Sequence, residues 1–411
     1  MHRVAVTGLG GITAIGNSPT AIFDAALAAA SGVKRAPELA TGAVVPLVAS
    51  ANFDVDSVVP RVRTIPMDRS TALALAAARQ AVADSGLDIS AAPEQTGVYW
   101  GTGMGSVATL ENAYDQVFNR NNWKLRPTTV ITMMYSAPAA QISLEFGITG
   151  PTPTYTVACA SSAIAIGEAM RAIQHGYIDR AIVGGSDAML TRGTFAAWGA
   201  LRTLAKEDPV DAARSCKPFD EDRSGFVLGE GAGALVLENA EHARRRGATI
   251  YAELAGYGLT SDARHISDPS SDGQVRAIDV ALRSAGVDRG DIGYINAHGT
   301  ATSVGDRTET AAIKEIFGDR ATHIPVSSTK AIHGHVMGAT GVVEFMIALL
   351  ALRHGVIPPT AHLAHPDPQL GMDFVPGAAR HGVRLGAIMS NTFAFGGTNA
   401  VLVARDAAQR L

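Results

Sequence analysis

Residues 155–168 read YTVACASSAIAIGE and place a cysteine, Cys159, between a strand-like run and a helix-like run of small residues. A thiol in the first turn of a helix lies near the positive end of the helix dipole and near unpaired backbone N–H groups. Both favour the thiolate and can bind an oxyanion beside it. A single buried cysteine is more often just a small apolar side chain. The prediction that Cys159 is a nucleophile therefore depends on the rest of the chain.

Two later segments each bring a histidine to the end of a strand-like run. Residues 292–300 read IGYINAHGT and carry His298, and residues 324–335 read IPVSSTKAIHGH and carry Lys330 and His335 ahead of a long apolar helix. A cysteine with one distant histidine is typical of thiol hydrolases and transferases, in which the histidine acts as a general base. Two histidines and a lysine indicate a different chemistry.

Four ordered motifs resemble those of the β-ketoacyl-acyl carrier protein synthases, the condensing enzymes of fatty acid and polyketide assembly in the thiolase-like superfamily. The motifs are TVACASS at 156–162, NAHGT at 296–300, STKAIHGH at 328–335 and SNTFAFGGTN at 390–399. The resemblance covers nearly the whole chain. It implies an α/β fold with the thiolase-like, duplicated five-layer αβαβα architecture, in which two sheets enclose a central pair of helices.

The resemblance also implies how the acyl chain is bound. Cys159 would accept the chain from a carrier protein, and the backbone N–H groups of Cys159 and Phe395 would bind the oxyanion of the tetrahedral intermediate. Phe393 and Phe395 belong to the loop that gates the acyl pocket in the family. We expect Met104, Met133 and Met134 to line that pocket as well.

The histidines and the lysine have separate roles in the family. His298 and His335 would donate N–H groups to the carbonyl of a malonyl thioester while it loses carbon dioxide. Lys330 would keep both imidazoles neutral through its positive charge. The family pairs this lysine with a glutamate, which corresponds to Glu344.

A self-similarity in the chain also predicts a duplicated core. Cys159 opens a small-residue helix with Glu168 nine positions later, and His335 opens another with Glu344 nine positions later. Both helices are apolar on nearly all faces, which indicates burial. We place the boundary between the halves after the charged stretch 238–246, giving an N-terminal half over 1–247 and a C-terminal half over 248–411.

Composition limits the class of protein. The chain has 411 residues, 47% of them hydrophobic, two cysteines and a net charge of −4. These values exclude a disulfide scaffold and give no sign of nucleic-acid or membrane binding. The start of the chain lacks a signal peptide, and no uninterrupted apolar run is long enough to cross a bilayer. We therefore predict a soluble cytoplasmic enzyme that needs no cofactor and no metal.

The partners follow from the resemblance. We expect the acyl and malonyl forms of an acidic acyl carrier protein to bind through basic side chains, for which the candidates are Arg61, Arg63, Arg69 and Arg202. Family members are usually dimers. The chain is expected to form a homodimer or a heterodimer with a homologous chain-length factor.

Several alternatives remain open at this stage. The chain could be the catalytic subunit of a ketosynthase/chain-length-factor pair, or a non-condensing thiolase-like acyltransferase. A non-catalytic chain-length subunit would lack Cys159, and a degradative thiolase would need a second cysteine after Cys216, which the sequence does not contain. Ala394 stands where the family has a glycine in the gating loop and restricts the backbone there. This difference favours a specialised polyketide synthase over a housekeeping enzyme of fatty acid synthesis.

Overall fold

Ten strands form one continuous sheet in the computed structural model, which describes residues 1–40, 42, 44–58 and 67–407. In chain order the strands are β1 (Val4–Ile12), β2 (Thr96–Gly101), β3 (Thr154–Tyr155), β4 (Arg180–Asp187), β5 (Gly231–Asn239), β6 (Ala252–Ser261), β7 (Ile292–Asn296), β8 (Val326–Ser327), β9 (Ala387–Ala394) and β10 (Thr398–Arg405). Their order across the sheet is β3-β2-β4-β5-β1-β6-β10-β9-β7-β8. Five short strands lie outside it: Lys34–Arg35, Leu47–Ala49 and Leu228–Gly229 form one small sheet, and Val356–Ile357 and Arg380–His381 form another.

The two halves of this sheet have the same topology. From the outer edge to the centre, the first half has the order β3-β2-β4-β5-β1, and the second half has the order β8-β7-β9-β10-β6. If the five strands of each half are numbered in chain order, both halves have the order third, second, fourth, fifth, first. In each half the two outer pairings are parallel and the two inner ones antiparallel. The predicted duplication is therefore confirmed. The two expected sheets are joined into one because Val4–Val6 of β1 pairs antiparallel with Ala252–Leu254 of β6.

Helices cover both faces of the sheet and fill the space between its halves. The helices are α1 (Pro19–Leu27), α2 (Val55–Val58), α3 (Arg69–Ser85), α4 (Val107–Tyr114), α5 (Thr129–Met133), α6 (Ala137–Phe146), α7 (Ser161–Gln174), α8 (Arg192–Leu201), α9 (Ala240–Arg245), α10 (Ser271–Ala285), α11 (Ser303–Phe317), α12 (Lys330–His333) and α13 (Thr340–His354). Helix α3 packs on β1, β4 and β5, α10 packs on β6 and β10, and α7 and α13 pack against each other in the middle. This arrangement confirms the five-layer architecture. The boundary predicted at residue 247 lies between α9 and β6 and stays a prediction.

The central helices α7 and α13 approach closely at their N-terminal ends. A Cβ added to Gly341 would lie 2.7 Å from the backbone nitrogen of Ala163, so glycine is needed for this contact. The hydroxyl of Ser162 accepts a hydrogen bond of 3.0 Å from the backbone N–H of Val342. Side chains from Thr340 to Leu352 are all buried, as the apolar pattern predicted. The segments with Cys159 and His335, which precede these helices, are thereby brought together.

Helix α13 belongs to a segment with the length and composition of a membrane span. Met337–His354 is long and apolar enough by these measures to cross a membrane, although Glu344 and Arg353 interrupt its apolar run. However, 89% of this segment is buried inside the protein. Its composition is explained by its position between the two halves of the sheet.

The structure also corrects the alignment that we predicted between the halves. A short 3₁₀ turn precedes each central helix, at Ala158–Ala160 before α7 and at Met337–Ala339 before α13. Both turns begin with a residue of positive φ, 44° at Ala158 and 45° at Met337. Equivalent positions are thus 179 residues apart, whereas Cys159 and His335 are separated by 176. The recurring glutamate nine positions later is coincidental.

Candidate active site

Cys159 lies in the turn before α7, with its thiol facing the turn before α13. Its Sγ lies 2.9 Å from Nε2 of His335, and the side chain is only 2% exposed. Burial raises the pKa of the thiol to about 12, although Lys330 and the backbone N–H groups of Phe395 and Cys159 act in the opposite direction. We had expected the helix terminus to favour the thiolate. Burial outweighs that effect, so the thiol is protonated in the free protein.

His335 is fixed by its backbone and by both ring nitrogens. Its backbone N–H donates a hydrogen bond of 2.7 Å to the carbonyl of Val227. Nδ1 lies 2.9 Å from the hydroxyl of Thr340 and accepts a longer hydrogen bond of 3.3 Å from the backbone N–H of Met337. A neutral imidazole that accepts at Nδ1 carries its proton on Nε2. His335 thus presents an N–H donor to the space beside Cys159.

A carboxylate holds the turn that carries His298. The two oxygens of Glu309 accept hydrogen bonds of 2.8 Å from the backbone N–H groups of His298 and Gly299, and the amide of Asn391 donates to the same carboxylate at 3.0 Å. The ammonium of Lys330 donates to the backbone carbonyl of His298. These bonds orient His298 from both sides of its peptide. The sequence analysis did not identify Glu309, although it lies on α11 eleven residues after His298.

Lys330 and Glu344 form a fully buried ion pair with an N···O distance of 2.7 Å. Burial raises the pKa of the Glu344 carboxyl to about 7, and the charge of Lys330 opposes this shift. Burial also lowers the pKa of His298 and of His335 well below the usual value, and Lys330 is the second cause in both cases. Both imidazoles are therefore neutral. The sequence analysis attributes the neutrality of the imidazoles to Lys330, but burial contributes more to it than the lysine does.

Aromatic rings surround the two histidines. The ring of His298 lies edge to face with that of His335 at a centroid distance of 5.6 Å, and Phe226 contacts His335 in the same way at 5.2 Å. Phe393 lies 6.3 Å from the ring of His298. The ring of Phe395 packs against Trp198 at 5.9 Å. These contacts pack apolar rings against both imidazoles and restrict their rotation.

A cavity of about 400 Å³ leads from the surface to this site. Its deep end is lined by Cys159, His298, His335, Phe393 and Phe395. This volume lies in the range typical of small-molecule sites, and the polar groups converge at its closed end. The cavity can therefore hold an extended chain whose reactive end lies beside the thiol.

The three methionines predicted for the acyl pocket do not line the cavity that contains Cys159. Met133 and Met134 line a separate surface groove next to β3, and Met134 is half exposed. Met104 is partly buried and packs against the main hydrophobic core. Their assignment to the acyl pocket stays a prediction.

The four arginines predicted for carrier binding differ in their environment. Arg61 and Arg63 lie outside the described residues. The guanidinium of Arg69 donates to both carboxylate oxygens of Glu230 at 2.7 and 2.9 Å, so its charge is compensated within the protein and it is no longer a candidate. Arg202 is exposed, ends α8 in the left-handed conformation and lines the mouth of the cavity.

Two family models match the chain. The model of the β-ketoacyl synthase N-terminal domain covers residues 1–243, and that of the β-ketoacyl synthase C-terminal domain covers residues 251–364. Among curated proteins, 3-oxoacyl-[acyl-carrier-protein] synthase 2 of Staphylococcus aureus strain COL is 39% identical over 406 residues, which are 98% of this chain and 97% of the relative.

Solved structures give the same result. The ishigamide ketosynthase/chain length factor superposes with a TM-score of 0.92 at 33% identity, covering 98% of this chain and 99% of the other. A type II polyketide synthase acyl carrier protein in complex with its ketosynthase bound to the hexaketide matches with a TM-score of 0.89 at 27% identity and the same coverage. The family models match both halves of the chain, and the curated relative matches nearly all of it. This chain therefore belongs to the β-ketoacyl synthase family and is a condensing enzyme of the acyltransferase class.

Proposed function

We propose that this protein is a β-ketoacyl-acyl carrier protein synthase that joins a malonyl unit to an acyl chain carried on Cys159. The observation that carries the proposal is the group formed by the thiol of Cys159 and the two neutral imidazoles of His298 and His335 at the closed end of the cavity. A thiol supplies a nucleophile. Two N–H donors supply binding for an enolate oxygen.

The first half of the reaction transfers the acyl chain. The sulfur of Cys159 attacks the thioester carbonyl of the acyl carrier, the carbonyl oxygen becomes an oxyanion, and the carrier thiol leaves with the proton that Cys159 gives up. The backbone N–H groups of Phe395 and Cys159 point to the sulfur and lower the pKa of the thiol. They are therefore close to the place where the oxyanion forms. One such donor contributes about 10²–10³ in rate in related acyl-transfer sites.

The second half makes the new carbon–carbon bond. The malonyl thioester loses carbon dioxide, and the electron pair left behind forms an enolate whose oxygen is bound by N–H groups of His298 and His335. The enolate carbon then attacks the acyl group on Cys159 and displaces the thiolate, which is protonated again. Neutral imidazoles suit this role, because each must donate a hydrogen bond and then retain its proton. Lys330 contributes to their neutrality by its charge.

A surface patch supports dimerisation. Large hydrophobic side chains in and beside α4, α5 and α6 are exposed, and they lie next to β3, an edge strand of the sheet. The patch consists of Tyr114, Phe118, Trp123, Val130, Ile131, Met134, Tyr135 and Leu144. Val130, Met134 and Tyr135 line one groove beside Thr154 of β3, and exposed apolar surface of this kind marks an interaction site. We infer a dimer of soluble, cytoplasmic subunits, either two copies of this chain or this chain with a chain-length factor.

The proposal leans towards polyketide synthesis over fatty acid synthesis. One structural relative is a ketosynthase/chain length factor, and another is the ketosynthase of a type II polyketide synthase. Ala394 is buried at the end of β9 and pairs with Thr398, so its Cβ is held within the strand. Backbone rotation in the gating loop after β9 then depends on Gly396 and Gly397, whose φ angles are 89° and 73°. A stiffer loop admits a narrower set of acyl chains.

The test is intact-mass analysis of the purified protein with a panel of acyl carriers of different chain lengths, followed by malonyl carrier. The proposal predicts an adduct on Cys159 from a subset of the panel and its release as a β-ketoacyl carrier two carbons longer. Arg202→Glu should reduce the rate of transfer from the carrier, whereas Arg283→Glu on the exposed face of α10 should not. An adduct that water releases as a free acid, with no longer product, would contradict condensation. Gel filtration with light scattering shows whether the chain forms a dimer alone or only with a second chain.

A further inference from the structure

The thioether of Met337 lies beside the catalytic thiol and has no part in the proposed reaction. Its Sδ is 4.0 Å from Sγ of Cys159, and its side chain is 2% exposed. Sγ of Cys159 and one ring nitrogen from each of His298 and His335 lie within 4.8 Å of one another. Two imidazole donors and one sulfur donor therefore line the closed end of the cavity, and a second sulfur lies next to the first.

We propose that Cys159, His298, His335 and Met337 form a binding site for copper(I), whose occupation blocks the active site. Thiolate and thioether sulfur are the ligands that copper(I) prefers, and imidazole also binds it well. A cysteine, two histidines and a more distant methionine are the donor set of the blue-copper class of protein copper sites. Zinc, by contrast, is bound by cysteine, histidine and carboxylate groups and makes little use of a thioether.

The distances suit one ion. Bonds of about 2.3 Å to sulfur and about 2.0 Å to nitrogen put two donors of a tetrahedral ion about 3.5 Å apart. The Sγ···Nε2 distance of 2.9 Å is shorter than this, and the span of the three closest donors is at most 4.8 Å. Side-chain shifts of about 1 Å would therefore bring these three donors to a common ion, with the thioether of Met337 as the more distant fourth donor, 4.0 Å from the thiol.

The surroundings also fit metal binding by His335. A histidine that binds a metal through one nitrogen usually donates the other N–H to a nearby oxygen. For His335 that oxygen is the hydroxyl of Thr340, 2.9 Å from Nδ1. The change of tautomer gives up the 3.3 Å hydrogen bond from Met337. As the sulfur–copper bond forms, the thiol of Cys159 releases its proton to solvent and no electron is transferred.

The site is reached through the catalytic cavity, which is lined by three of the four donors. A copper ion held there occupies the nucleophile and both imidazoles, so neither acyl transfer nor decarboxylation can proceed. Copper binding itself requires no acyl carrier and no reaction. The inference thus goes beyond the proposed function and can fail or succeed independently of it.

The experiment is an anaerobic titration of the protein with copper(I) held by bicinchoninate, whose colour is lost when the protein removes the ion. We expect one copper per chain, loss of binding in Cys159→Ala, and retained binding in Cys216→Ala, since Cys216 is buried in a separate cluster. Met337→Leu should weaken copper(I) binding at least about tenfold and leave zinc(II) affinity within about twofold, because only copper(I) uses the thioether.

Two controls keep the result interpretable. Circular dichroism and thermal unfolding show whether each variant is folded, and Met337→Ile replaces Met337→Leu if that variant is not. In the unmodified sequence, carbamidomethylation of Cys159 should abolish copper uptake without any mutation. Copper affinity that is unchanged in folded Met337→Leu, or stoichiometric copper in Cys159→Ala, would overturn the proposal. Either result would leave the condensation chemistry untouched, because no acyl substrate is present.

Discussion

The backbone N–H of Gly338 donates a hydrogen bond of 2.6 Å to the buried carboxylate of Asp187. Gly338 lies in the turn before α13, and Asp187 is the last residue of β4, so the bond joins the two halves of the molecule next to the thiol of Cys159. The same carboxylate accepts from the backbone N–H groups of Gly103 and Met104 and from the hydroxyl of Thr102. Asp187 is thus the common anchor of both loops that flank Cys159.

Asp187→Asn should lower the free energy of unfolding by about 1–3 kcal/mol. The four donors now divide between two carboxylate oxygens, whereas the asparagine amide offers one acceptor oxygen, so buried donors lose their partner. The released turn should also slow acyl transfer to Cys159. Chemical denaturation and intact-mass kinetics measure the two effects. Glu111→Gln is the matched control, since Glu111 accepts from the backbone N–H of Gly193 at the surface. Equal effects of the two substitutions would show that Asp187 has no special role.

Breaking the buried ion pair should be costly, and removing both partners less so. Lys330→Met leaves Glu344 buried without its partner, which typically lowers the free energy of unfolding by about 3–5 kcal/mol. Lys330→Met combined with Glu344→Gln removes the uncompensated charge and should recover part of that loss. Arg283→Met, in the exposed pair with Asp279, should change stability by less than about 1 kcal/mol. A double variant that is as unstable as Lys330→Met alone would contradict this view of the pair.

Stability should depend on pH through Asp306, a fully buried carboxyl on α11 that lies 3.8 Å from Arg223. Burial raises the pKa of Asp306 from 3.8 to about 7. Between these values the folded protein keeps a proton that the unfolded chain has released, so stability falls as pH rises, by up to about 1.4 kcal/mol per pH unit. Asp306→Asn should remove this contribution between pH 4 and 7. Melting temperatures across that range, with the exposed Asp24→Asn as control, give the comparison; identical profiles for wild type and Asp306→Asn would refute it.

The contact between the central helices should not tolerate a larger residue. Gly341→Ala places a Cβ 2.8 Å from the Cβ of Ala163 and should lower the free energy of unfolding by about 1–3 kcal/mol through overpacking. Gly199→Ala, on α8 with no atom within 4 Å of the added carbon, should instead be neutral or stabilising by up to about 1 kcal/mol. The sign of the difference between these two helical glycines tests the packing directly.

Much of this structure could be predicted from the sequence because the chemistry is concentrated in a few motifs. The thiol, the two histidines and the lysine are each followed or preceded by glycine-rich or apolar runs that reveal their place at the ends of strands and helices. The duplication follows from the family resemblance, whereas the repetition of glutamates that also indicated it is a coincidence. The true register is set by the two 3₁₀ turns, whose positive φ angles at Ala158 and Met337 have no signature in the sequence.

Residues that act from a distance in the chain could not be predicted. Asp187 and Glu309 lie in a strand and a helix whose patterns give no sign that they bind backbone groups of the catalytic loops. The raised pKa of Cys159 could not be foreseen either, because local helix geometry was visible in the sequence and the extent of burial was not. Arg69 appeared free in the sequence, and its pairing with Glu230 depends on a contact between residues 161 positions apart.

The most direct test of the account separates the two halves of the reaction. His298→Ala should still form the acyl adduct on Cys159, detected by intact mass, while release of carbon dioxide from malonyl carrier falls by about 10²–10³, as for the loss of one oxyanion donor. Cys159→Ala should form no adduct. We expect an acylated but condensation-deficient His298→Ala enzyme. A His298→Ala enzyme that cannot be acylated yet still decarboxylates malonyl carrier would contradict the division of roles between the thiol and the imidazoles.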